Sequence, residues 1–162
     1  MCLDALTMHA PMIFPIVVDN ASSDDTLSIV RKRSNLRLIA NPENRGFAAA
    51  VNQAVREIRA DVYLLLNPDV RLKMPVEELV EAAKQCGMSA GRLDGVDGRP
   101  QEGFAIRRFP TAATLAFELL GINRLWPGNP VNRRYRYLGE TPQLVDQPAG
   151  AFLFFDRRVW DA

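Results

Sequence analysis

Cysteine and histidine are almost missing from this sequence: Cys2, Cys86 and His9 are the only ones in 162 residues. Two distant thiols without metal-type spacing build neither a disulfide framework nor a zinc site, and they fit a reducing compartment. Cys86, at a predicted helix end, reads as a packing residue. A single histidine with no serine or cysteine motif around it gives no support to triad chemistry, and His9 reads as a loop residue. No apolar run approaches the ~20 residues that cross a bilayer. A basic leader is lacking too, because the first Lys or Arg is Arg31 and Pro11 and Pro15 interrupt the early apolar stretch. The expectation is a cytoplasmic chain, with peripheral contact at the inner face of the membrane left open. Net charge nearly vanishes, with 20 Lys and Arg against 19 Asp and Glu, so no global field draws the chain to nucleic acid. Neither G-x-G-x-x-G nor G-x-x-x-x-G-K-[ST] occurs, so dinucleotide and P-loop readings lack their fingerprint.

The rest is ordinary globular material, 48% apolar and 24% charged, in a length that suits one domain. Strand and helix signals alternate. Ile16-Val17-Val18 is a β-branched run ending in Asp19-Asn20. Ser22 or Ser23 can cap the helix that follows, with Asp24 and Asp25 in its first turn. Leu36 to Ile39 is a second strand, closed by Asn41-Pro42. Phe47, Val51, Ala54, Val55 and Ile58 form one apolar stripe, which predicts a helix over 46–59. Val62 to Leu66 has no polar alternation and reads as a strand buried on both faces. Pro75 suits the first position of a further helix. Beyond Gly87 the pattern loosens: a short apolar helix from Thr111 to Leu120, a long connection over 121–148, and a last strand from Gly150 to Phe155. This alternation predicts an α/β domain with a mostly parallel sheet.

Ligands of such sheets bind at the carboxyl ends of the strands, which singles out three loops. Asp19 can accept a hydrogen bond from a nucleobase imide or a ribose hydroxyl, or with Asn20 make only an Asx turn. Asn44-Arg45-Gly46 opens an alanine-rich helix whose backbone N–H groups can meet a phosphate, or it is an ordinary helix start. Asn67-Pro68-Asp69 offers a carboxylate just past a strand, where a hard divalent cation can bridge it to a diphosphate; the plain alternative is a turn toward Pro75.

Taken together, VVDNASSDDT (17–26), NPENRGFAAAVNQA (41–54) and LLLNPDV (64–70) resemble the donor-binding half of family 2 glycosyltransferases, nearest in pattern to rhamnosyltransferase-like members. LDGVDGRPQ (93–101), RRFPT (107–111), RRYRYLG (133–139) and GAFLFFDRRVWD (150–161) resemble the same subgroup. The resemblance implies a GT-A (Rossmann-like) nucleotide-diphospho-sugar-binding domain and an inverting transfer, for instance of rhamnose, onto a cell-surface polysaccharide or lipid-linked acceptor. It puts Asp19, Asn20 and Asp24 near the nucleobase, and Asn44 and Gly46 along the nucleotide. Asn67 and Asp69 stand in for the family's Asp-x-Asp, with Asp69 holding Mg²⁺ or Mn²⁺. Gly150, Ala151 and Phe152 face the acceptor. Residues 1–86 would be the donor-binding half and 87–162 the acceptor-side half of one domain.

Two departures qualify this picture. The family opens with a strand ending in a Tyr-Asn type turn, whereas here Cys2 to Leu6 already resembles the end of the helix after it. The family also carries a Glu-Asp pair after the Gly-Ala-Phe segment, its Asp being the general base. After Gly150 only Asp156 and Asp161 occur, and neither is assigned as base. The expectation is a domain incomplete at both ends, with weakened transfer, since a positioned base contributes roughly 10²–10⁴-fold. A non-catalytic nucleotide-sugar-binding or regulatory module is the alternative; a plain α/β nucleotide-binding or phosphoacceptor domain is a third reading. Arg107-Arg108 and Arg133-Arg134-Tyr135-Arg136-Tyr137 could stack on RNA, but the net charge argues against it. A solvated basic face is the simpler reading. Contact with anionic lipid, helped by the apolar segment Leu115 to Trp126, is a second option.

Overall fold

Strands β1 (Ile16–Asn20) and β2 (Arg37–Asn41) pair in parallel through the strand–helix–strand connection of α2 (Thr26–Arg31). Their register sets Val18 opposite Ile39 and Asn20 opposite Asn41, so both strands end level. The computed structural model describes residues 2–101, 103–138 and 144–162; Gly139 of the RRYRYLG segment lies outside them. Two compact units emerge, Met1–Ser89 with Phe154–Ala162, and Ala90–Leu153.

The first unit holds α1 (Cys2–His9), β1, α2, β2, α3 (Phe47–Glu57), β3 (Val62–Leu66), α4 (Glu77–Cys86) and α8 (Arg157–Asp161). Helix α3 packs on β1 and buries Val55. Ala5 and Leu6 of α1, Val30, Leu72, Val76, Ala83, Phe154 and Phe155 make the core. Tyr63, Phe155 and Trp160 stack in series, with centroids 5.4 and 5.7 Å apart. An Asp4–Arg33 ion pair of 2.8 Å ties α1 to the chain just beyond α2.

Strands β4 (Met88–Ala90) and β7 (Phe152–Asp156) carry the chain across the boundary between the units, and the sheet order is β3-β7-β4. The Arg157 N–H donates to the Asp61 carbonyl and the Asp156 N–H to the Gly87 carbonyl, both at 2.8 Å. The end of β7 therefore lies beside the starts of β3 and β4, and β7 runs antiparallel to both. This corrects the expected mostly parallel sheet. Parallel strands demand a crossover connection; β1 and β2 have one, but β7 arrives after the whole second unit. Among the described residues β1 and β3 belong to separate sheets.

Smaller corrections follow the same local physics. His9 closes α1 instead of lying in a loop. Helix α2 starts after Asp25, not after a serine cap. Helix α4 starts at Glu77 with Val76 before it, so Pro75 precedes the helix, and Glu77 and Glu78 suit its dipole. Strand β3 is half-buried throughout, not fully buried. Cys86 and Phe47 are exposed.

The second unit contains the antiparallel pair β5 (Ile106–Arg107) and β6 (Gln147–Pro148). Its helices are α5 (Ala112–Leu119), α6 (Ile122–Leu125) and α7 (Pro130–Tyr135), so the expected long connection over 121–148 contains two short helices. Thr111 and Thr114 form a reciprocal cap on α5. Asn129 caps α7, with Pro130 at its first turn. Phe152 is buried and lies against Gly91, where a Cβ would collide with its ring. No described helix is long and apolar enough to cross a membrane.

Candidate functional site

The candidate site begins where β1 and β2 stop together. Asp19 is only 3% exposed. Its Oδ2 accepts the Ser22 N–H at 3.2 Å, which fixes the turn. Its Oδ1 is buried and accepts no hydrogen bond from the described residues. A buried carboxylate oxygen without a donor is costly and rare. The turn is strained as well: Ala21 has φ of 66°, a left-handed conformation unusual for alanine.

Asn20 joins this turn to the next loop. Its amide donates to Asn44 Oδ1 at 2.7 Å, and its Oδ1 accepts from the Asn41 amide at 3.2 Å and the Arg45 N–H at 3.1 Å. Asn44 Oδ1 also accepts the Gly46 N–H at 2.9 Å. Asn41 and Gln53 exchange a reciprocal amide pair at 3.0 and 3.1 Å, tying the end of β2 to α3. The result is a rigid polar shelf of Asn20, Asn41, Asn44 and Gln53 beside Asp19. Gly46 has φ of 83°, and nothing lies within 4 Å of where its Cβ would be. Among the described residues no side chain caps the start of α3, next to Arg45, and uncapped helix N–H groups are of the kind that suits a phosphate.

Asp24 is exposed, and its Oδ1 accepts the Thr26 N–H at 3.0 Å. Bonds from the Thr26 hydroxyl and backbone hold its carboxyl below the usual carboxylate range. Its visible task is the start of α2, and it is not part of the shelf. Asn67 and Asp69 form the turn after β3. The Asn67 carbonyl accepts the Val70 N–H at 3.1 Å and the Cys2 thiol at 3.7 Å. Burial, reinforced by the negative charge of Asp69 and partly offset by the amino terminus, pushes the Cys2 thiol up. Asp69 itself is exposed, and among the described residues no hydrogen bond or ion pair engages its carboxylate. No group of three His, Cys, Asp or Glu side chains that could enclose a metal occurs among the described residues. A Mg²⁺-type cation needs only one or two carboxylates when substrate phosphates supply the rest, so Asp69 fits that limited role.

In the second unit Gly150 is exposed, Ala151 half-buried and Phe152 buried. Only the first two present themselves at the surface. Near the C-terminus Asp156 is 7% exposed and caps α8, accepting the Arg158 N–H at 2.7 Å and its guanidinium at 2.8 and 3.1 Å. Those bonds hold its carboxyl below the usual range. Asp161 pairs with Arg157 at 2.7 Å. Both carboxylates are therefore committed to arginines. Sequence reading named Asp19, Asn20, Asn44 and Gly46 but missed Gln53 and the bracing role of Asn41. Gln53 lies off the apolar stripe of α3 and carries no local signal; only the long-range pairing reveals it.

Residues 14–157 match the family model described as glycosyl transferase family 2. No curated protein gives a significant match to the chain. The match spans most of the sequence and both units, and it includes the Asp19 turn, the asparagine shelf and the Asp69 turn. The chain belongs to glycosyl transferase family 2.

Proposed function

We propose that this chain binds a nucleotide-diphosphate sugar and serves the inverting transfer of its sugar to a glycan or lipid-linked acceptor. The observation that carries this reading is the orphaned, buried Asp19 Oδ1 beside a braced polar shelf at level strand ends. That oxygen can accept the imide N–H of a nucleobase or a ribose hydroxyl. The shelf keeps the Asp19-Asn20 turn from relaxing toward solvent. The uncapped start of α3, with Arg45 and the open space over Gly46, suits the diphosphate. Asp69 is the residue that would hold a divalent cation. Such a cation, when bound, offsets the charge of the departing nucleoside diphosphate.

On the acceptor side the reading retains the exposed turn Gly150-Ala151. The Phe152 side chain, next in the chain, is buried against Gly91. The rhamnosyltransferase-like pattern makes a deoxyhexose the first sugar to try, and a cell-surface polysaccharide the first acceptor class. No base is assigned within 150–162, because Asp156 and Asp161 are bound to Arg158 and Arg157.

Titration calorimetry with uridine and thymidine diphosphate, with Mn²⁺ and with chelator, tests the reading. Mn²⁺ should strengthen binding in the unaltered protein, and Asp69→Ala should remove that gain while leaving the metal-free affinity in place. Unchanged Mn²⁺-dependent affinity in Asp69→Ala would remove the cation role from this residue.

A further inference from the structure

Helix α5 is turned inside out. Its buried side chain is Thr114, whereas Leu115 is 56% exposed and Leu119, one turn on, 88%. Leu120, Leu125 and Trp126 continue the apolar surface at 72, 87 and 58% exposure. Hydrogen bonding explains the inversion in part, since Thr114 is bound to Thr111 through both backbone and hydroxyl. What the cap does not explain is five large apolar side chains left in water along α5 and α6, which pack together.

Charge identifies what covers them. Residues 105–138 contain six arginines (107, 108, 124, 133, 134 and 136) and one carboxylate, Glu118, a net of 6 − 1 = +5. The whole chain is only +1, so the remaining 128 residues carry 1 − 5 = −4. The single carboxylate accepts a hydrogen bond from Asn123 at 2.7 Å. Arg124 is exposed next to Leu125 at the end of α6, and Arg133 and Arg134 are exposed on α7, which packs against α5. Arg108 and Arg134 also line a cleft of about 390 Å³ with Phe109, Val131, Tyr135 and the carboxylate of Asp146, which accepts the Phe109 N–H at 3.1 Å. Exposed leucines, a tryptophan and exposed arginines within one compact unit match the chemistry of an anionic bilayer surface.

We propose that the α5–α6 face, with Arg124, Arg133 and Arg134 around it, docks this protein peripherally on an anionic phospholipid membrane. Leu115, Leu119, Leu120, Leu125 and Trp126 enter the headgroup boundary, and the arginines meet lipid phosphates. The proposal does not depend on the donor-binding reading, because every residue it uses lies in the second unit.

Co-sedimentation of the full chain with vesicles tests it. One set is phosphatidylcholine alone and the other phosphatidylcholine mixed with phosphatidylglycerol. The protein should sediment with the mixed vesicles, far less with the neutral ones, and progressively less as salt rises. Leu119→Glu with Leu125→Glu should weaken vesicle binding roughly tenfold or more, as should Arg133→Glu with Arg134→Glu. A second pair, Leu115→Ser with Leu120→Ser, serves if the first does not fold, with circular dichroism as the check. Equal sedimentation with both vesicle types, or no response to the substitutions in folded protein, overturns the proposal. So does light scattering that finds a dimer broken by the leucine substitutions, since a second copy would then cover the face. Nucleoside diphosphate calorimetry on the same variants should be unchanged, which separates this outcome from failure of the donor site.

Discussion

One oxygen of Asp19 holds its own turn and the other meets no donor among the described residues. Asp19→Asn keeps the shape and can still accept the Ser22 N–H through its amide oxygen. It then aims an N–H₂ donor where an acceptor stood. A hydrogen bond to a charged group contributes about 1.5–3 kcal/mol, so nucleoside diphosphate affinity should fall by roughly 10–100-fold, with or without Mn²⁺, while the urea midpoint moves little. Titration calorimetry reads the first and fluorescence the second. The three candidate turns were legible at the residue scale, because Asp-Asn, Asn-Arg-Gly and Asn-Pro-Asp each interrupt an apolar or alanine-rich run. Which of the polar groups would be mutually satisfied was not legible. Asp24 proved to be occupied by Thr26, and Asn41 by Gln53 from 12 residues away.

Helix ends decide much of the second unit. Asn129 is fully buried and serves three neighbours: its Oδ1 accepts the Asn132 N–H at 2.8 Å, and its amide donates to Asn123 Oδ1 at 2.9 Å and the Trp126 carbonyl at 2.7 Å. Asn129→Ala removes the cap of α7 and strands buried polar atoms, so it should cost about 2–4 kcal/mol in urea unfolding. At α8 the expectation concerns pH. Asp156 is held below the ordinary aspartate value of about 3.9 by Arg158. A carboxyl lowered on folding stabilises the native state above its unfolded pKa, and that contribution is lost as pH falls through the lowered value. Asp156→Asn should therefore lower the urea midpoint at about pH 6 and show a smaller further drop between about pH 5 and pH 3 than the unaltered protein. Elements were legible wherever propensity and periodicity agreed, as in α3 and β3. Their pairing was not: β7 lies between β3 and β4 through contacts dozens of residues apart, and a strand's own residues do not encode its neighbour.

Over the whole chain the near-zero net charge hides an uneven distribution. The sequence total argued against a global field, and averaging concealed the arginine-rich stretch of residues 105–138, which also contains the exposed leucines of α5 and α6. The exposure of those leucines could not be read from periodicity, because an apolar helix is ordinarily expected to face a core. The proposed donor site is the opposite case, since its three polar turns all lie in the first unit and each follows a strand. That these turns share one ligand is the claim on which the functional reading stands. Paramagnetic broadening of backbone amide signals, on adding Mn²⁺ with uridine or thymidine diphosphate to isotope-labelled protein, tests it most directly. The amides of Ser22 and Gly46 should broaden together with that of Asp69, and Asp69→Ala should abolish the effect at all of them. Sharp Ser22 and Gly46 signals in a sample whose nucleotide is bound would show that the turns do not meet around one diphosphate.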